Sequence, residues 1–130
     1  MSSANTETRI REQIAKNSIL LYMKGTPEAP ECGFSGAAVA ALKKTGFAFS
    51  FVNVLANPFI RERLPRVSKW PTFPQLFVQG ELIGGADIIM EMQGDGSLHE
   101  LLASVPDAQR AAPPAARQES DLSLPVLQNG

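Results

Sequence analysis

The sequence predicts an α/β domain, a small four-stranded mixed sheet with helices on both faces. Three observations carry that expectation. Segments of helical and strand periodicity alternate along the chain as far as Ala103. Ser18 to Met23 is nearly all apolar, which suits a strand covered on both faces of a sheet. Gln79-Gly80, between two short strand-like runs, has the form of a two-residue hairpin turn.

Taken in order, Thr6 to Lys16 places Ile10, Ile14 and Ala15 among charged residues and reads as an amphipathic helix. Ser18 to Met23 is the first strand. Gly25 to Glu31, with Pro27 and Pro30, reads as an ordered loop. Gly33 to Thr45 is alanine-rich, with Phe34, Ala38, Ala41 and Leu42 on one side; Lys43 and Lys44 suit its last turn and Gly46 its cap. Ala48 to Val54 is a second strand, parallel to the first because a helix crosses between them. Asn57-Pro58 starts a helix, with Asn as cap and Pro in the first position. Pro65 should end or bend that helix early, since it lacks the N–H that would continue the ladder. Gln75 to Val78 and Glu81 to Ile83 form the antiparallel hairpin. Gly84-Gly85 leads into a helix over Ala86 to Met92, and Ser97 to Ala103 is a last short helix. This order is the thioredoxin-like arrangement. The domain is expected to occupy residues 1–104, and the Pro, Ala, Gln and Ser of 105–130 to form a disordered tail.

Composition narrows the function. Apolar residues make up 44% of the chain, enough for a packed core. Twelve lysines and arginines against 13 aspartates and glutamates leave a net charge of −1, which does not call for a nucleic-acid backbone or an anionic membrane. No apolar run approaches the ~18 residues of a membrane span. The N-terminus lacks the order of a secretory signal. One cysteine excludes a disulfide scaffold and fits a reducing compartment, so a cytoplasmic location is expected.

That cysteine, Cys32, stands in Cys32-Gly33-Phe34-Ser35 at the start of a helix. Free amides and the dipole there stabilise a thiolate, and Lys24 at the end of the preceding strand adds positive charge. The plain alternative is a small buried apolar residue, but a cysteine between a proline loop and Gly-Phe-Ser is poorly placed for that. With Ser35 where a second cysteine would sit, the thiol must complete its chemistry with something outside the chain. Trp70-Pro71-Thr72-Phe73-Pro74 is a plausible place for a cis bond at Phe73-Pro74, leaving the Phe73 backbone free to pair with an extended peptide; a rigid turn is the simpler reading of the motif alone. In Gly84-Gly85-Ala86-Asp87, backbone amides can hold a carboxylate and Asp87 an ammonium group, although an ordinary helix cap fits equally well. Arg61 can serve as a second cation or stay a solvated charge. His99 is expected to be exposed and uninvolved. Together the pieces describe a groove for a small zwitterionic thiol peptide, and glutathione has those groups in that order.

The chain resembles the monothiol glutaredoxins of the Cys-Gly-Phe-Ser type. The resemblance runs from about Thr6 to Ala103 through Lys24-Gly25-Thr26-Pro27, Cys32-Gly33-Phe34-Ser35, Trp70-Pro71-Thr72-Phe73-Pro74-Gln75 and Gly84-Gly85-Ala86-Asp87. It implies a thioredoxin-like fold and glutathione bound at Lys24, Arg61, Phe73, Ala86 and Asp87. It also implies a [2Fe-2S] cluster shared by a homodimer, each chain supplying Cys32 and one glutathione. Apo iron-sulfur proteins would receive the cluster, and a BolA-like protein would be a partner. Two positions depart from the family pattern. Pro65 stands where a basic residue is common, with Arg66 beside it, and Ala86 replaces a frequent serine or cysteine. The count of ligands agrees with the resemblance, because such a cluster wants four thiolates and one chain owns one. The competing expectation is a glutathione-dependent thiol-disulfide oxidoreductase acting through Cys32 alone. Glu28 and Glu31, if close to the thiol in space, would raise its pKa and weaken that reading. A scaffold that binds neither glutathione nor iron is the third possibility.

Overall fold

The computed structural model describes residues 3–110 and 116–118. Its main sheet is built on β1 (Ile19–Met23), whose five residues are all buried. β4 (Phe49–Asn53) pairs with it in parallel, Leu21 opposite Phe51. β5 (Gln75–Val78) pairs antiparallel on the other side, and β6 (Glu81–Gly84) closes the hairpin at the sheet edge. Gln79 and Gly80 both hold positive φ, 50° and 83°, as a type I′ turn requires. Two short strands, β2 (Gly25–Thr26) and β3 (Ala29–Pro30), form a separate hairpin inside the segment expected to be an ordered loop.

β1 divides its side chains between two cores, as the alternation of a strand demands. Ile19, Leu21 and Met23 join the cluster that contains Ala38, Val39 and Leu42 of α2 (Gly33–Thr45), Ile89 of α4 (Ala86–Asp95) and Leu98 and Leu102 of α5 (Ser97–Ala103). Leu20 and Tyr22 face the other way, against Ile10 of α1 (Ser3–Lys16) and Ile60 and Leu64 of α3 (Pro58–Ser68). Fully burying a side chain such as Leu21 stabilises the fold by about 1.5–3 kcal/mol, so β1 is the element both layers depend on.

Three details depart from expectation. First, α3 does not stop at Pro65 but runs to Ser68, ending at Lys69 with φ 58°. Leu64 before the proline is completely buried and Val67 after it packs on the same cluster, so burial on both sides carries the helix across the missing hydrogen bond. Second, Asn57 holds the cap position, yet its side-chain amide donates to the carbonyl of Asn53 (2.8 Å) rather than capping the helix. Third, the described residues beyond 104 pack against the domain. Val105 is buried in the first core, the Ala48 amide donates to the Gln109 carbonyl at 2.9 Å, and β7 (Ala116–Gln118) pairs in parallel with β4. The reason is that β4 otherwise presents an open edge of unpaired backbone groups, and Ala116 is small enough to bury against it. The sheet order is therefore β6-β5-β1-β4-β7, one strand more than expected. The remainder of the expected tail, 111–115 and 119–130, lies outside the described residues. Among the described residues, no helix is long and apolar enough to cross a membrane.

Candidate functional site

Cys32 is the N-cap residue of α2, extended in backbone (φ −156°, ψ 135°), and its carbonyl accepts the first helical hydrogen bond from Gly36 at 2.9 Å. The side chain does not cap the helix and stays part-exposed. The thiol pKa is held below its ordinary value, chiefly by the backbone N–H of Ser35; desolvation opposes this, while the N–H of Phe34, the charge of Lys24 and the Ser35 hydroxyl add to it. These are the first-turn amides that a helix leaves without internal partners. Glu28 and Glu31, both exposed, are not among the groups that act on the sulfur.

Lys24 follows the last residue of β1, and a set of local bonds fixes it beside the thiol. Its amide donates to the Ser35 hydroxyl (3.1 Å), and its carbonyl accepts from the Glu31 amide (3.0 Å). The next residue must be glycine. Gly25 has φ +91°, and a Cβ there would sit 2.6 Å from the Ala29 carbonyl oxygen and 2.6 Å from the Glu31 nitrogen. Its amide donates to Asn53 Oδ1 (2.9 Å), which also accepts from Leu55 (3.0 Å), so the ends of β1 and β4 are tied together.

The opposite wall comes from Trp70 to Pro74. The Phe73-Pro74 bond is cis. Gln75, fully buried, donates from Nε2 to the carbonyls of Trp70 (2.9 Å) and Thr72 (3.1 Å) and so holds this segment to the start of β5. Gly85 caps α4 directly beneath. A Cβ on it would meet Trp70 Nε1 at 3.1 Å and the Pro74 carbonyl at 3.3 Å, so the absence of a side chain lets the wall and the helix start touch.

These pieces enclose a cleft of about 540 Å³. Its lining includes all six residues singled out from the sequence: Lys24, Cys32, Arg61, Phe73, Ala86 and Asp87. Phe34, Pro65, Trp70, Thr72 and Ile88 line it as well. Of these, Trp70 and Thr72 lay inside a motif already noted, whereas Ile88 gave no signal beyond adjacency to Asp87. Asn53 was also missed; an amide side chain at a strand end was its only trace. Arg66 is not among the residues that line the cleft and pairs with Glu62 at 3.2 Å, while Pro65 beside it does line the cleft. His99 is exposed but packs at a tilt of 43° on Phe47, with ring centroids 5.3 Å apart.

Chemically the cleft joins a thiol of lowered pKa, two cations, a carboxylate and the turn that holds the cis Phe73-Pro74 bond. Among the described residues, no group of three or more His, Cys, Asp or Glu could hold a metal ion. The single cysteine of the chain offers one thiolate.

The glutaredoxin family profile matches residues 19–83. A protein named glutaredoxin 4 from Escherichia coli K12 is 49% identical over 113 residues, covering 87% of this chain and 98% of its own. One of the same name from Buchnera aphidicola is 57% identical over 97 residues, covering 75% of this chain and 90% of its own. Among solved structures, reduced apo GrxS14 of poplar superposes with a TM-score of 0.69 at 38% identity, covering 81% of this chain and 97% of that one. A truncated monomeric mutant of Trypanosoma brucei 1-C-Grx1 gives 0.71 at 32% identity, covering 86% and 97%.

Proposed function

The chain belongs to the glutaredoxin family, and from that premise we propose that it binds glutathione and, as a homodimer, carries a [2Fe-2S] cluster to apo iron-sulfur proteins. The observation that carries this reading is the cleft in which a lone, activated thiol lies with Lys24, Arg61, Phe73, Ala86 and Asp87. Lys24 and Arg61 attract a carboxylate. The Phe73 backbone pairs with the peptide middle, and the α4 N-terminus with Asp87 receives the amino-acid head. The peptide's own sulfur is thereby set beside Cys32.

The donor set fits the cluster only as half a site. Two Cys32 thiolates and two glutathione thiolates make four, the number such a cluster takes. Bound there, the cluster is cargo, held partly by small exchangeable ligands and so ready to leave. Lys24 and the α2 N-terminus offset its negative charge. A BolA-like protein as alternative partner and action in the cytoplasm belong to the same proposal.

A second reading draws on the lowered thiol pKa, to which neither Glu28 nor Glu31 contributes. In it the Cys32 thiolate attacks the glutathione sulfur of a mixed disulfide, and the released protein thiolate takes a proton. A second glutathione then attacks the Cys32–glutathione disulfide, leaving oxidised glutathione and the free thiolate.

The test is anaerobic reconstitution with iron and sulfide, with and without glutathione. The carrier predicts a coloured species of doubled mass that needs both glutathione and Cys32. A colourless protein that turns over glutathionylated disulfides at the rate of a dithiol relative would put the second reading first.

A further inference from the structure

Gln75, the first residue of β5, has no exposed surface and does not line the cleft. Both of its N–H donors nevertheless go to the cleft wall, where Nε2 bonds the carbonyls of Trp70 (2.9 Å) and Thr72 (3.1 Å). Its Oε1, equally buried, has no hydrogen-bond partner among the described residues, which lowers stability. An apolar side chain of the same length would fill the space without that loss. The worth of the amide therefore lies in its two donors and in what they hold.

The two carbonyls differ in consequence. That of Trp70 belongs to a peptide bond with Pro71, which has no N–H, so this bond only anchors the segment. That of Thr72 shares its peptide plane with the Phe73 N–H. The Thr72–Phe73 bond is trans, so its carbonyl and N–H point in opposite directions. With the carbonyl turned to buried Gln75, the N–H is turned outward, on the side of the cleft that Phe73 lines. Resting on the glutathione-binding reading above, we propose that Gln75 is a positioning residue. It aims the Phe73 N–H at the carbonyl of the bound peptide's middle residue and strengthens that donor. The strengthening arises because a hydrogen bond accepted by a carbonyl polarises the N–H of the same peptide group, and consecutive bonds reinforce one another away from water. Anchoring residues 70 and 72 through one planar amide also keeps the Thr72–Phe73 plane from turning over. The donor is thus oriented before the ligand arrives, and binding loses less freedom.

The experiment compares wild type with Gln75→Met, which keeps the length of the side chain but has no donor. Calorimetry with reduced glutathione gives Kd, heteronuclear NMR follows the Phe73 amide, iodoacetamide alkylation follows Cys32, and circular dichroism checks the fold. Gln75→Met should bind glutathione about tenfold more weakly, the worth of one hydrogen bond. In the free variant the Phe73 amide nitrogen resonance should move upfield, while the pH midpoint of Cys32 alkylation, set chiefly by the amides of α2, stays in place. Equal affinity in the two proteins overturns the proposal. So does a lost affinity accompanied by a displaced alkylation midpoint, because the whole cleft has then changed. Should the variant fail to fold, wild type alone decides. Its Phe73 N–H resonance should move downfield and exchange more slowly when glutathione is added; a stationary Phe73 resonance amid shifts at Lys24 and Ala86 overturns the role. If wild type binds no glutathione at all, the function proposed above fails, and this role fails with it.

Discussion

The Ser35 hydroxyl accepts the backbone N–H of Lys24 at 3.1 Å, and Ser35 has no exposed surface. The residue occupying the place of a second cysteine is therefore a fastener. It ties the end of β1 to the first turn of α2 and so holds the Lys24 backbone near the turn that carries Cys32. Ser35→Ala would leave a part-buried amide without its acceptor, at a cost of about 1–3 kcal/mol. A thermal melt should show a lower Tm in that variant with the fold retained.

Gly25→Ala should be more damaging than its size suggests. The new methyl group would meet two backbone atoms at 2.6 Å in a φ that disfavours side chains, and strain of this kind costs at least about 1–3 kcal/mol. Chemical denaturation should place the variant well below wild type, and alkylation of Cys32 should lose its dependence on Lys24.

The depressed thiol pKa gives a pH prediction with a definite sign. In the unfolded chain the thiol titrates near ~8.5, and in the folded chain it titrates lower. The thiolate thus adds stability above the unfolded value, and that contribution is lost as pH falls through the folded one. Iodoacetamide alkylation should reach half its maximal rate at a lower pH in the folded protein than in the denatured chain. Lys24→Gln should raise the midpoint only in part, because the Ser35 amide is the larger influence.

Gly85→Ala should weaken glutathione binding without unfolding the protein, since its methyl group presses on Trp70 Nε1 and the Pro74 carbonyl at the junction of wall and helix. A loss of several-fold in Kd corresponds to about 1 kcal/mol, measurable by calorimetry. Trp70 is the only tryptophan in the chain and lines the cleft, so its emission should change on glutathione addition in wild type.

The sheet, its hairpin and the helix crossover were legible because burial imposes a period on the residues, as in Ser18 to Met23. Five of the six site residues were legible because four motifs carried them in order, whereas Arg61 stood outside every motif. Other features were not. The passage of α3 through Pro65 depends on Leu64 and Val67 finding the same core, which is a tertiary fact overriding a local rule. β7 depends on an open edge of β4 that only the assembled sheet reveals, so a Pro- and Ala-rich composition argued against it. Asn53 acts through one side-chain oxygen on two amides distant in different degrees, a role with no sequence pattern.

Native mass spectrometry of the protein reconstituted with iron, sulfide and glutathione weighs the central claim directly. The account predicts a species whose mass is that of two chains, two irons, two sulfides and two glutathiones, absent from Cys32→Ser. A cluster-bearing species that contains a single chain, or that carries no glutathione, would contradict it.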